Sequence, residues 1–176
     1  MKTIINIIKK RRSVRNYKDK KVERKIMEEL ILAGTWAPSG SNIQSWKFVI
    51  VDNNKIKEKI DTFSPGLMGN PPNLIVICYD KKLAYEKGGK LGRDELGKMD
   101  ICMAAQNIML LATEKEISTC PVKSFDDNAL KKILKLPDYI DPVLIVTLGY
   151  SDKQPSPPNR KSVDKVSFYN EWGRLI

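Results

Sequence analysis

Apolar residues along this chain fall into two patterns, one helical and one continuous. Isoleucines at positions 4, 5, 7 and 8, closed by Lys9 and Lys10, predict a short helix over 3–10 with cations at its C-terminal end, where the helix dipole favours them. Val22, Ile26, Leu30 and Ala33 recur at helical spacing with Glu and Lys between them, so 22–36 reads as an amphipathic helix ended by Pro38 and Gly40. A surface helix over 53–61 is expected to be capped by Asn53 or Asn54, and a second amphipathic helix over 126–136 is stopped by Pro137. The longest helix runs from about Asp94 to Glu114. Between Ile101 and Thr113 only Gln106 and Asn107 are strongly polar, which predicts burial in a core or a subunit interface.

The continuous pattern marks strands. Leu74 to Tyr79 is apolar without a break, as a strand buried on both faces would be, and Pro142 to Tyr150 is similar. Lys47 to Val51 gives a third strand. Residues 64–73 hold three prolines and two glycines and read as a loop. Residues 80–92, charged and containing glycine, read as an exposed excursion. Three strands interspersed with five helical segments predict a layered α+β or α/β domain. The tail differs from the rest. Ser151 to Lys161 is a proline-rich polar linker, and Val163, Val166, Phe168, Tyr169, Trp172, Leu175 and Ile176 then supply more apolar surface than a free tail carries, so it is expected to dock.

At 176 residues and 41% hydrophobic, the chain is expected to be one globular domain. No apolar run approaches the roughly 18–20 residues that span a bilayer. Met1 to Arg12 lacks the apolar centre and cleavage site of a signal peptide, so a cytoplasmic protein without a membrane partner is expected. The three cysteines, Cys78, Cys102 and Cys120, are isolated, against both a disulfide framework and a zinc site. There is no histidine, which removes the usual general base, the Ser–His and Cys–His nucleophile pairs and the commonest metal ligand. Chemistry is therefore expected from carboxylates, lysines, tyrosines or a bound cofactor, with no metal, and a redox cofactor that carries its own reactivity fits best.

A net charge of +10 raises the possibility of nucleic acid. However, Lys55, Lys57, Lys59, Lys131, Lys132 and Lys135 are spread along surface helices without interleaved aromatics, and no nucleic-acid-binding motif is present. Gly92 to Lys98 has Walker A spacing, but Met99 stands where Ser or Thr would hold magnesium. No G-x-G-x-x-G supports a Rossmann site. Two other segments carry the chemistry. Arg11-Arg12-Ser13-Val14-Arg15 places three guanidinium groups where the first helix stops, a good grip for a phosphate. Ala37-Pro38-Ser39-Gly40-Ser41-Asn42-Ile43-Gln44-Ser45-Trp46 is a polar turn entering a strand, able to offer backbone and amide groups to a flat heterocycle. Together they suggest a flavin mononucleotide (FMN) site.

With these residues in order, the chain resembles the nitroreductase family of FMN-dependent oxidoreductases. The resemblance rests on Arg11 to Tyr17, Ala37-Pro38-Ser39 with Asn42, Gln44 and Trp46, and Asp100 with Ala105-Gln106-Asn107. It continues through Ser118-Thr119-Cys120-Pro121-Val122 with Phe125, Leu148-Gly149-Tyr150 and Pro158-Asn159-Arg160-Lys161. It implies an α+β fold, a three-layer α/β/α sandwich with a mixed central sheet flanked by helices. It also implies a single domain over 1–176 whose residues 151–176 form an arm docking on the partner subunit of a homodimer.

By the same resemblance, Arg11 and Ser13, with Arg160 or Lys161, would hold the FMN phosphate, and Arg12 belongs to the same basic segment. Arg15 would lie near N1 and the C2 carbonyl of the isoalloxazine, favouring the reduced flavin. Pro38, Ser39, Gly40 and Asn42 would reach the flavin from the partner subunit, and backbone N–H groups at Lys123 and Ser124 would face N5 and O4. NAD(P)H would be the electron donor in a ping-pong reaction, with a nitroaromatic, quinone or related small molecule as acceptor. A flavin storage, delivery or sensor protein of the same fold is the alternative. The chain departs from the family at Lys123-Ser124, where many members carry glycine, and at Gln44-Ser45-Trp46, which lacks the frequent proline. No lid domain is evident, which disfavours the deiodinase and flavin-fragmenting branches.

Overall fold

From Asn73 to Tyr79 no residue is more than 1% exposed. A strand buried on both faces needs a layer of helices on each, and the computed structural model, which describes residues 3–174, has that architecture. The chain forms α1 (Ile4–Lys10), α2 (Arg24–Thr35), β1 (Trp46–Val51), α3 (Asn54–Thr62), β2 (Asn73–Asp80) and α4 (Lys81–Leu91). A π-helical turn over Gly92–Leu96 leads into α5 (Gly97–Glu114), and β3 (Ser118–Val122), α6 (Asp127–Leu134) and β4 (Ile140–Gly149) follow. The sheet order is β1-β2-β4-β3.

Alternation along β2 divides the core. Ile75, Ile77 and Tyr79 pack with Met27 and Leu30 of α2 and with Ile101, Ala104 and Ile108 of α5. Leu74, Val76 and Cys78 face the other way, into a second core with Ile60 of α3 and Leu130 of α6. The three-layer α/β/α sandwich is therefore present. The named strands all pair antiparallel. Among the described residues the parallel element of the expected mixed sheet is an isolated bridge between Ser13 and Thr119. A bulge between Ile77 and Cys78, opposite Leu144 and Pro142, absorbs a proline that could not donate to a regular ladder.

Two expectations need correction. Residues 80–92 are mostly exposed, as expected, but they are helical: Asp80 accepts from the Leu83 N–H (2.9 Å) and caps α4, which kinks at Gly89 (φ +59°) before the π-turn and α5. There is also a fourth strand, β3, too short and too polar to stand out in the sequence. Other caps agree with the residue pattern. Asn53, rather than Asn54, caps α3 by accepting from Ile56 N–H, and Asp126 caps α6 by accepting from Ala129 N–H. Helix α5 is less uniformly covered than its composition suggests. Ile101, Ala104, Ala105, Ile108, Met109 and Ala112 are buried, while Met99 and Met103 are exposed. In the tail, Val163, Val166, Tyr169 and Trp172 are all exposed within this chain, and Leu175 and Ile176 lie outside the described residues.

The Thr147 hydroxyl ties β4, β3 and the N-terminal segment together. It lies 2.6 Å from the Tyr17 hydroxyl, accepts from Cys120 N–H (2.9 Å) and donates to the Cys120 carbonyl (3.1 Å). The single Tyr17 proton is shared between the Thr147 oxygen and the Val14 carbonyl (2.5 Å), and burial holds the phenol above the ordinary value, so it stays protonated. Thr147→Val keeps the shape and removes the hub, leaving buried partners unpaired. It is expected to lower unfolding free energy by about 1–3 kcal/mol, seen as a lower urea midpoint at unchanged slope. A midpoint equal to wild type would show that the hub does not hold these elements.

Candidate functional site: a basic strip along the edge of the sheet

After α1 the chain becomes extended, and an extended segment sends alternate side chains to opposite sides. Arg11, Ser13 and Arg15 share one side; Arg12 and Val14 share the other. Val14 is buried, and its N–H donates to the Thr119 carbonyl (2.9 Å), anchoring the segment against the outer edge of β3. Since Thr119 faces outward at that edge, so does Pro121, whose missing N–H costs nothing there. The outward N–H of Lys123 follows two residues on.

The three arginines have different tasks. Arg12 donates to the Lys9 carbonyl (2.6 Å) and the Arg11 carbonyl (2.8 Å), which satisfies the C-terminal end of α1. Arg11 has no such engagement at one of its nitrogens. Its Nη1 is buried and has no hydrogen-bond partner among the described residues. Arg11 lines a pocket with Arg12, Arg160, Gln106, Ile8 and the Pro157-Pro158 pair. Residues from the two ends of the chain thus converge there. A buried guanidinium nitrogen without an acceptor, beside two more guanidinium groups, fits a phosphate dianion.

Arg15 belongs to a neighbouring groove lined by Gly66, Met68, Cys120, Pro121, Val122, Lys123 and Ser124. The loop after α3 shapes this groove. Gly69 is left-handed (φ +77°), and a Cβ there would overlap the Arg15 carbonyl; a Cβ at Gly66 would strike the Ser124 side chain. The N–H groups of Lys123 and Ser124 donate to no backbone carbonyl among the described residues. The Lys123 ammonium is 2.9 Å from Asp127 Oδ1 and 4.2 Å from the centre of the Phe125 ring, so its charge is paired.

The other expected residues lie elsewhere. Lys161 is exposed beside Arg160 and lines neither pocket. Pro38, Ser39, Gly40 and Asn42 form a loop packed against the π-turn and α5, also away from both. Ser41, Asn42 and Gln44 are left-handed (φ +51°, +54° and +55°). For residues other than glycine this costs of order 1–3 kcal/mol each, least for asparagine. Local bonds offset it. Gln44 N–H donates to Ser39 Oγ (3.1 Å), Gln44 Nε2 to Asn42 Oδ1 (3.0 Å), and Gly40 N–H to Asp100 Oδ1 (3.2 Å).

Sequence reasoning overlooked Gly66, Met68 and Gln106 as lining residues. The signals were the glycines in the 64–73 loop and an isolated polar residue on an apolar helix. Among the described residues no group of three or more His, Cys, Asp or Glu could hold a metal ion, and no helix is long and apolar enough to cross a membrane.

Known proteins share this arrangement. The model of the nitroreductase family matches residues 8–68 and 61–150. An NADPH-dependent oxidoreductase of Staphylococcus aureus (strain bovine RF122 / ET3-1) is 28% identical over 185 residues, covering 96% of this chain and 74% of that protein. The crystal structure of a nitroreductase family protein from Clostridium difficile 630 aligns with a TM-score of 0.82 at 25% identity, over 97% of this chain and 99% of that one. A nitroreductase family protein from Streptococcus pneumoniae TIGR4 has the same fold, with a TM-score of 0.87 at 22% identity over 95% of this chain and 100% of that one. With the family model matching most of the chain and this fold shared by solved members, this protein belongs to the nitroreductase family of oxidoreductases.

Proposed function

We propose that the basic strip binds FMN and that the protein uses it to pass electrons from NAD(P)H to a small organic acceptor. The observation that carries this reading is the buried, unpartnered Nη1 of Arg11 beside Arg12 and Arg160. Arg11, Ser13 and Arg160 would grip the phosphate, with Lys161 adding positive charge at the rim. Arg15 and the free N–H groups of Lys123 and Ser124 would hold the ring system along the neighbouring groove. The chemistry FMN supplies when bound is hydride acceptance from NAD(P)H and electron delivery to a nitroaromatic or quinone that takes the nicotinamide's place, in ping-pong order. The side chains position, neutralise and exclude water, which suits a chain without histidine.

The reading extends to a homodimer. The loop at Pro38–Asn42 stands apart from the strip of its own chain, and the tail from Val163 to Trp172 exposes large apolar side chains. Both features support an assembly in which each loop completes the partner's flavin site and each arm, 151–176, lies on the partner. An arm of about 25 residues can reach several tens of ångströms.

Purified protein is expected to be yellow or to take up FMN, and to oxidise NAD(P)H when menadione or a nitrofuran is supplied. A protein that gains no flavin spectrum on FMN addition would sink the reading. Flavin uptake without turnover would instead identify a storage or delivery protein.

Arg11→Ala is expected to weaken FMN binding by roughly 1.5–3 kcal/mol, the value of a charge-assisted contact, and so is loss of Arg160 and Lys161 together. Fluorescence quenching titrations that match wild type in both variants would refute the phosphate assignment. Arg15→Ala is expected to lower the flavin potential, because a cation beside the ring favours the reduced form. No shift, or an upward one, in a potentiometric titration would count against it. Deleting residues 162–176 is expected to cost dimer stability and flavin retention together. A stable truncated monomer that keeps its FMN in sedimentation experiments would defeat the proposed assembly.

A further inference from the structure

Asp100 is an acid in an apolar place. It is 2% exposed, among Ile101, Ala104 and Ala105 on a helix that faces the core. Because Leu96 before it is already helical, α5 has no free start at this point, and Asp100 is not an N-cap. One carboxyl oxygen accepts from Gly40 N–H (3.2 Å); the other is buried with no partner among the described residues. A leucine or alanine would bury no unpartnered carboxyl oxygen there, but it would leave the Gly40 N–H without its acceptor, so the residue's use lies in that one bond.

The loop it touches has reason to move. Three of the four positions Ser41, Asn42, Ile43 and Gln44 are left-handed side-chain-bearing residues, and their hydrogen bonds to Ser39, Gly40 and Asn42 all stay within the loop. The bond from Gly40 N–H to Asp100 instead ties the turn's first residue to the body of α5. Leu96 of the π-turn packs against the same glycine, and Ile43 is buried nearby. The buried Ile43 side chain and the Gly40–Asp100 bond thus fasten the exposed part of the loop to the body of the protein. Burial pushes the Asp100 carboxyl above the usual carboxylate range, and the Gly40 N–H pulls against that shift.

We propose that Asp100 is a positioning residue, whose buried carboxyl oxygen fixes Gly40 and so keeps the Pro38–Asn42 loop in the left-handed form that meets the flavin. The assignment rests on the reading of that loop as part of the flavin site. The test combines a loop readout that needs no cofactor with one that does. In the full-length protein, Asp100→Leu is expected to speed hydrogen exchange at the Gly40 amide by about tenfold or more and to weaken FMN binding about as much. Asp100→Asn keeps an oxygen acceptor and is expected to stay within about threefold of wild type in both. Should the leucine variant not fold, Asp100→Ala removes the same acceptor with the best helix former.

Unchanged exchange at Gly40 when the acceptor is removed would overturn the proposal, and so would an asparagine variant as loose as the leucine one. A loosened loop with wild-type FMN affinity would overturn it too, since the loop would then not present the ligand. A wild-type protein that takes up no FMN sinks the flavin reading instead, and exchange at Gly40 then decides the role of Asp100 alone.

Discussion

Burying β2 on both faces at once is the constraint from which the rest of this structure follows. Leu74, Val76 and Cys78 need cover on one side and Ile75, Ile77 and Tyr79 on the other, so helices must occupy both. Helices α2 and α5 take one face, α3 and α6 the other. With both faces filled, the sheet offers unpaired backbone at its two edges, β1 and β3, and the arginine segment leaving α1 lies along the edge of β3. The basic strip is thus a by-product of sheet geometry: an extended segment at an edge has one side turned to the core, through Val14, and one side turned out.

What could be read from the sequence is what local residue types decide. The β2 run, the amphipathic helices and the caps at Asn53 and Asp126 are visible because each signal is complete within a few residues. Strand β3 is not, since Ser118-Thr119-Cys120-Pro121-Val122 has neither alternation nor apolar weight. It becomes a strand through Thr147 and the bridge to Ser13, partners far away in sequence. Helix α4 was hidden by Gly88, Gly89 and Gly92, which break the propensity signal although two of them lie where Ile43 approaches. In α5 the apolar composition predicts a core or a subunit interface, and within this chain Ile101, Ala104 and Ile108 take the core side while Cys102 and Met103 face outward.

The candidate site divides the same way. Arginine's fork makes a phosphate grip legible from three letters, but not the division of labour among Arg11, Arg12 and Arg15. That division depends on where α1 ends and on the alternation beyond it, which turns Arg12 back onto helix carbonyls and leaves Arg11 Nη1 without a partner. At Lys123, where the chain departs from the family, the added charge is paired with Asp127 four residues on, an i, i+4 pair not read from the sequence.

Pro121 has a further consequence. A sheet edge is a template on which another chain can add a strand, and a short, partly apolar edge such as β3 invites this. Here a residue without an N–H sits at an outward position, and the arginine segment crosses the same edge at Thr119 with its charges outward. The same few residues that line the basic strip therefore also occupy the edge on which a second chain could add a strand.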